Sequence, residues 1–176
     1  MKVLHAGCGS ETLGKFHPAF GDVEEVRLDI EPRVKPDIVG SLTDMGSVPD
    51  GSMDGAYCSH CLEHLYPHDV VPALREFVRV LKPGGHVLFF VPDLEDARPT
   101  PDVLFVSPSG PISGLDLFYG YHRAIPDAPH MAHHCGFTQA TLRSALESAG
   151  FGRVEVVRLP DYNLMGLAIK ASPVPN

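Results

Sequence analysis

Residues 86–91 (HVLFFV) form a nearly continuous apolar run. A strand that packs on one face alternates apolar and polar side chains, whereas a strand covered on both faces is apolar throughout. Coverage on both faces is typical of a parallel sheet that lies between two layers of helices. The run therefore predicts a central strand of an α/β fold.

Further strand-like runs are present at residues 3–6, 26–30, 36–40, 56–58, 154–159 and 164–169. The last two runs are separated only by residues 160–163. This short link favours an antiparallel pair, because a parallel crossover needs a dozen or more residues. We therefore predict a single domain with a seven-stranded, mostly parallel sheet whose last strand is antiparallel.

Helices are predicted between these strands. A first helix is expected to begin near Glu11. A second one shows apolar residues at spacings of three and four, which indicates one buried face: Val71, Leu74, Phe77, Val78 and Leu81. Residues 82–85 (KPGG) are expected to stop it, since proline cannot continue a helix. Thr138 is expected to cap a later helix that ends at Gly150.

The charge balance excludes some partners. The 176 residues include 14 Lys and Arg against 22 Asp and Glu, a net charge of −8, without a basic run. We therefore expect neither nucleic acid nor a membrane surface as a partner. The first residues lack the apolar stretch of a signal peptide, and no run approaches the roughly 20 apolar residues of a membrane span, so we expect a cytoplasmic protein.

The cysteines are too few for a disulfide scaffold, and we expect free thiols at Cys8, Cys58, Cys61 and Cys135. Two segments also allow a metal interpretation. Residues 58–61 (CSHC) with His64 are compatible with a zinc site or a redox pair. Residues 130–135 (HMAHHC) resemble a metal-binding tract through His130, His133, His134 and Cys135. No second cysteine pair completes a zinc set, so we expect no metal ion.

A glycine-rich turn follows the first strand. Gly7 and Gly9 let the backbone pass close to a ligand, and Asp29 at the end of the second strand can accept ribose hydroxyls. A dinucleotide site usually has a third glycine where this chain has Thr12, and the neighbouring Glu11 would repel a pyrophosphate. The same carboxylate is compatible with a cationic ligand. The turn therefore favours an adenosine-type ligand that lacks a pyrophosphate.

Several segments stand out together: residues 3–10 (VLHAGCGS), 28–32 (LDIEP), 49–54 (PDGSMD), 59–64 (SHCLEH) and 81–85 (LKPGG). In order and spacing they resemble the motifs of class I S-adenosylmethionine-dependent methyltransferases, and most nearly the type 11 group. The resemblance covers nearly the whole chain. It implies a doubly wound Rossmann-like fold, S-adenosyl-L-methionine as the cofactor and methyl transfer as the activity.

The resemblance also implies a set of cofactor-binding residues: His5, Gly7, Cys8, Gly9, Glu11, Asp29, Ile30, Ser41, Leu42, Ser59 and His60. Within this set the glycines lie under the methionine part of the cofactor. Asp29 holds the ribose and Ile30 lies against the adenine. Ser59 and His60 face the methyl group.

Two positions depart from the family pattern. His5 stands where the family usually has an acidic residue, and Ser41 stands where an aspartate often contacts the adenine amino group, with Leu42 beside it. These departures predict a lower affinity for the cofactor, unless Glu11 and Asp44 replace the missing contacts.

Residues 92–135 are interpreted as an insertion. Many of the chain's 17 prolines lie in it, and loops of more than about 15 residues in a compact domain usually form lids or binding loops. The helices that cover the cofactor before the first strand in this family have no counterpart here. We therefore expect the insertion to act as a lid and to supply the acceptor pocket through Phe118, Tyr119, His122 and His133.

The function that follows is methyl transfer to an unidentified small molecule. Candidate bases are His60, His122 and His133, with Tyr119 as a positioning donor. The alternatives are a non-catalytic S-adenosylmethionine-binding protein and a nicotinamide-dependent oxidoreductase, the latter opposed by the missing third glycine. A homodimer is left open.

Overall fold

A computed structural model describes residues 1–16 and 22–172 of the chain. The strands are β1 (Lys2–Ala6), β2 (Glu24–Asp29), β3 (Ile38–Val39), β4 (Met53–Ser59), β5 (Leu81–Pro92), β6 (Val103–Ser107), β7 (Gly110–Ser113), β8 (Arg153–Leu159) and β9 (Asn163–Ile169). The α-helices are α1 (Leu13–Phe16), α2 (Pro67–Val80), α3 (Gly114–Tyr119) and α4 (Gln139–Ala149). Short 3₁₀ turns lie at Pro32–Val34, Leu62–His64 and Pro129–Met131. Among the described residues, no helix is long and apolar enough to cross a membrane.

The main sheet has the strand order β3-β2-β1-β4-β5-β9-β8. Neighbouring strands from β1 to β5 run parallel, and β9 runs antiparallel to both β5 and β8. This arrangement confirms the predicted seven-stranded α/β sheet with its antiparallel last strand. The chain moves outward from β1 to β3 and then returns to β4 on the other side of β1. The loops after β1 and β4 therefore diverge and leave a crevice at the C-terminal edge.

One face of the sheet packs against α2 and α4. Leu74 and Phe77 of α2 are fully buried there with Leu146 of α4, and the Phe77 ring stands edge-on to Phe89 of β5 at 5.0 Å between centroids. Leu74 and Phe77 confirm the predicted apolar face, whereas Val71 and Val78 are only partly buried. Val70 is buried as well, and Leu81 is buried at the start of β5.

The opposite face is covered less completely. Val3, Leu13 and Tyr57 form a smaller buried cluster on that side, and Leu88 and Phe90 of β5 pack against it while staying partly exposed. The prediction that β5 is covered on both faces therefore holds fully only on the side of α2 and α4. The predicted helix near Glu11 begins at Leu13, and its course over residues 17–21 lies outside the described residues.

Helix α2 ends at Val80, just before the KPGG segment that was expected to stop it, and β5 begins earlier than expected. Met53 pairs with Leu81, and the next pair joins Gly55 to His86, so residues 82–85 bulge out of the ladder. The strand starts at Leu81 because that residue already pairs with β4.

The insertion is more ordered than the irregular loop that the sequence predicted. It contains the antiparallel hairpin of β6 and β7, followed by α3. A capping box starts α3, since the Asp116 carboxylate accepts the Ser113 N–H at 2.9 Å and the Ser113 hydroxyl oxygen accepts the Asp116 N–H at 3.2 Å. Such short elements leave little periodicity in a sequence, which explains why they were not predicted.

The contact between Phe77 and Phe89 yields a stability prediction. Phe77→Ala should lower the free energy of unfolding by about 3–5 kcal/mol, because it removes buried surface and leaves a cavity between α2 and β5. Phe77→Leu, which fills most of that space, should lose roughly 1–2 kcal/mol. Urea denaturation measures both values. Equal losses for the two variants would contradict the packing described.

Candidate active site

A cleft of about 540 Å³ opens at the C-terminal edge of the sheet, where β1, β2 and β4 end. Its size is within the roughly 300–1,000 Å³ that is typical of small-molecule sites. Most of the expected cofactor residues line it: Gly7, Gly9, Asp29, Ile30, Ser41, Leu42, Ser59 and His60. The fold therefore brings the ends of three strands to one concave surface.

Asp29 fixes the glycine-rich turn. One of its carboxylate oxygens accepts the Gly9 N–H at 2.8 Å, and the other accepts the Glu31 N–H at 2.9 Å. Gly7 and Gly9 have φ angles of +67° and +52°, which residues with a side chain rarely adopt. Each carboxylate oxygen has a further lone pair, so Asp29 can accept ligand hydroxyls while it holds the turn.

Arg27 supports the same turn and was missed from the sequence. Its guanidinium donates to the Gly9 carbonyl at 2.7 Å and to the Lys35 carbonyl at 3.0 Å. It therefore ties the loop after β1 to the segment after β2. A single arginine within a strand carries no sequence signal for such a role.

His60 follows β4 in a strained conformation. Its φ of +52° is unusual for a residue other than glycine, and its N–H donates to the Phe90 carbonyl at 2.8 Å. Burial would lower the pKa of His60, but the Glu63 carboxylate outweighs this effect and raises it. The ring is half exposed and lines the cleft.

Three expected cofactor residues do not line the cleft. His5 is 2% exposed and lies on the Val3 side of β1, with its Nδ1 2.7 Å from a Glu25 carboxylate oxygen. Successive side chains of a strand alternate between faces, so His5 shares the face of Val3, and its expected contact with a cofactor stays a prediction. Burial lowers the pKa of His5 and outweighs Glu25.

Cys8 and Glu11 are the other two. The Cys8 thiol is buried against the Gly9 carbonyl, and burial raises the pKa of Cys8 to about 11, which makes it a poor nucleophile. Glu11 lies in the next turn, where its N–H donates to the Cys8 carbonyl at 3.3 Å. The expected contacts of these side chains with a cofactor stay predictions.

The insertion reaches the cleft through other residues than predicted. Ala128, His130 and Met131, at the Pro129–Met131 turn, line it. Tyr119 is 61% exposed outside it. His122 also lies outside, where its ring contacts the Asp116 carboxylate.

Phe118 and His133 do not line the cleft either, and their expected part in an acceptor pocket stays a prediction. The Asp116 carboxylate holds His122 at α3, because it accepts the His122 backbone N–H and contacts its ring. The ring of His133 lies 5.0 Å from that of His64, centroid to centroid. Sequence spacing alone does not reveal either contact.

Glu63 lies behind the cleft wall and is 1% exposed. The His60 Nδ1 is 3.3 Å from its carboxylate, an ion-pair distance without hydrogen-bond geometry. Burial favours the neutral carboxyl, but three nearby imidazoles outweigh it and hold the pKa of Glu63 below its usual value. Burial lowers the pKa of His133 despite the opposing charge of Glu63.

Comparison with known proteins identifies this arrangement. A family model described as a methyltransferase domain matches residues 4–89, which run from β1 into β5. No curated protein matches the chain.

Solved structures share the fold over almost the whole chain. An S-adenosylmethionine-dependent methyltransferase from Mesorhizobium loti has 19% identity and a TM-score of 0.66, with 96% of this chain and 90% of that chain covered. One from Archaeoglobus fulgidus has 19% identity and a TM-score of 0.63, over 96% and 86%. The 1,6-didemethyltoxoflavin-N1-methyltransferase of Burkholderia thailandensis has 17% identity and a TM-score of 0.62, over 97% and 71%. At these sequence identities, the similarity shows a shared fold and no more.

The sheet order, the glycine turn and the acidic end of β2 form the arrangement that the sequence motifs implied. The chain is similar to a methyltransferase domain over residues 4–89, and it shares its fold with S-adenosylmethionine-dependent methyltransferases of known structure.

The two glycines of the turn differ in their surroundings, and this difference yields a prediction. A Cβ at Gly7 would lie 2.1 Å from the Cys61 Sγ, whereas a Cβ at Gly9 would meet no atom within 4 Å. Both alanine variants bear the strain of positive φ, roughly 1–2 kcal/mol. Gly7→Ala should lose about 1–3 kcal/mol more than Gly9→Ala in urea denaturation, because it also overpacks the site.

The double variant Gly7→Ala with Cys61→Ala is the control for this prediction. It should recover part of the additional loss, since the clashing sulfur is gone. No recovery, or equal stability of the two single variants, would show that Cys61 does not press against the turn.

Proposed function

We propose that this protein transfers the methyl group of S-adenosylmethionine to a small-molecule acceptor bound in the same cleft. The observation that carries the proposal is the position of Asp29, whose carboxylate lies in the cleft and holds the Gly9 turn. This pairing places an acceptor for ribose hydroxyls directly beside backbone that a ligand can approach closely.

The cleft residues fit the parts of the cofactor. Ile30 and Leu42 offer apolar surface for the adenine, and Asp29 accepts the ribose hydroxyls. The open space at Gly9 accommodates the methionine part. At position 41 this chain has a serine hydroxyl where the family often has a carboxylate. The Ser41 hydroxyl is hydrogen-bonded to the Thr43 hydroxyl at 2.8 Å.

S-adenosylmethionine supplies an electrophilic methyl group on a positively charged sulfur, so the protein's main task is to align the acceptor with it. Ser59 and His60 stand at the end of β4, on the side of the cleft away from Ile30. His60 is the base that the geometry favours, because it lines the cleft and pairs with Glu63. His122 and Tyr119 lie outside the cleft and are not retained as catalytic candidates.

The acceptor is proposed to be small and partly apolar. Leu65 and Met131 offer apolar wall on the insertion side of the cleft, and His130 adds a polar group. The related Burkholderia structure contains 1,6-didemethyltoxoflavin and S-adenosylhomocysteine, which supports a small acceptor here. The net charge of −8 opposes a nucleic acid.

Asp29→Ala tests the cofactor assignment. The variant should weaken S-adenosylhomocysteine binding by about 1.5–3 kcal/mol, the usual value of hydrogen bonds to a charged group, as measured by calorimetry. Asp37→Ala is the matched control, because Asp37 accepts the Arg27 N–H at 2.8 Å but does not line the cleft. Unchanged affinity in a folded Asp29→Ala protein would remove the assignment.

The insertion is proposed to close over the bound ligands, and trypsin tests this role. Arg123 is an exposed trypsin site within it, whereas the bond after Arg98 precedes a proline. Saturating S-adenosylhomocysteine should slow cleavage at Arg123 several-fold, because ligand lowers the population of open conformers. NAD at the same concentration should not. An unchanged cleavage rate would show that the insertion does not respond to the cofactor.

A further inference from the structure

The buried carboxylate of Glu63 is the starting point. It is 1% exposed, and neither of its oxygens has a hydrogen-bond partner in the part of the chain that the structure describes. An unsatisfied buried carboxylate is costly, so a second charged group is needed beside it. The His60 ring is half exposed, and its Nδ1 lies 3.3 Å from one carboxylate oxygen.

Two further histidines face the same carboxylate. Glu63, His64 and His133 each offer one ligand atom, and these atoms lie within 4.8 Å of one another. His64 follows Glu63 directly after β4, whereas His133 comes from the insertion. The cluster therefore joins two parts of the chain that are distant in sequence.

The rings of both histidines are held in a defined tautomer. The Nδ1 of His64 lies 3.2 Å from the Ala132 carbonyl, and the Nδ1 of His133 lies 2.9 Å from the Leu117 carbonyl. A carbonyl oxygen only accepts hydrogen bonds, so Nδ1 must carry the proton and Nε2 keeps its lone pair. Metal-binding histidines are oriented in this way by a backbone carbonyl or a carboxylate.

We propose that Glu63, His64 and His133 bind one divalent transition-metal ion of the zinc class. Two imidazole nitrogens favour such a metal over Mg²⁺ or Ca²⁺, which prefer oxygen ligands. Two histidines and one glutamate form a three-ligand set of the kind that leaves a fourth position open to water or substrate. The ion gives a bonding partner to a buried carboxylate that has no hydrogen bond among the described residues. This proposal replaces the expectation that the chain binds no metal.

The place of the site indicates its use. His64 belongs both to the cluster and to the cleft wall, so an open metal position is next to the acceptor side of the cleft. An acceptor hydroxyl bound there loses its proton more readily, which assists methyl transfer to oxygen. This use rests on the proposed function, whereas the metal site itself does not.

Zinc binding to the purified full-length chain tests the site. After treatment with EDTA and its removal, calorimetry with ZnCl₂ should show one ion bound per chain. Glu63→Gln and His133→Asn should each weaken binding at least about tenfold, the scale on which altered metal shells act. His134→Ala is the matched control, because His134 neighbours His133 but stacks on Tyr66 at 4.3 Å instead of joining the cluster.

Two results would overturn the proposal. One is the absence of stoichiometric Zn²⁺ binding by the unmodified chain, which would leave the pair of His60 and Glu63 as a structural ion pair. The other is equal Zn²⁺ affinity in the His133→Asn and His134→Ala proteins.

A second readout does not depend on whether a variant folds. Co²⁺ added to the unmodified chain should give the intense visible bands of a four-coordinate site, and Zn²⁺ should abolish them. Weak bands of an octahedral ion would contradict the site. Binding of S-adenosylhomocysteine is measured separately, so a failed metal site and a failed cofactor site are distinguishable.

Discussion

The carboxylate of Asp29 holds together the two loops on which the cleft is built. It accepts one N–H from the glycine turn after β1 and another from the segment after β2. Arg27, two residues earlier on β2, bridges the same two segments. This is possible because β1 and β2 are parallel neighbours whose C-terminal ends lie level, with Ala6 opposite Leu28. The reversal of strand order at β1 then leaves room for a ligand above the turn.

The parts of the fold that the sequence predicted are those with strong local patterns. These patterns are the apolar run of β5, the periodic apolar face of α2 and the capping residues Thr138 and Gly150 of α4. Each one is visible within a few consecutive residues, because it reflects local burial or capping. The position of the His5 side chain could not be predicted from the sequence. Strand alternation places His5 and Leu4 on opposite faces of the sheet, but it does not tell which face borders the cleft. Tyr119 and His122 were misplaced because the Asp116 contacts that orient this segment leave no periodic signal.

Glu63 connects the loop after β4 to the insertion through both its backbone and its side chain. Its backbone carbonyl accepts the N–H groups of His134 at 2.9 Å and Cys135 at 3.2 Å, so the end of the insertion is fixed to the loop after β4. Its side chain meets histidines from both segments. The residues proposed to align the acceptor therefore depend on a buried carboxylate and its histidine neighbours, whereas on the cofactor side Asp29 and Arg27 bond to backbone groups of the two loops.

The proposed function requires a cleft that accepts S-adenosylmethionine and not a dinucleotide. Calorimetric titration of the unmodified protein with S-adenosylhomocysteine and, separately, with NAD distinguishes the two ligands. We expect saturable binding of S-adenosylhomocysteine at one site per chain and no heat with NAD at the same concentrations. Binding of NAD in preference to S-adenosylhomocysteine would contradict it.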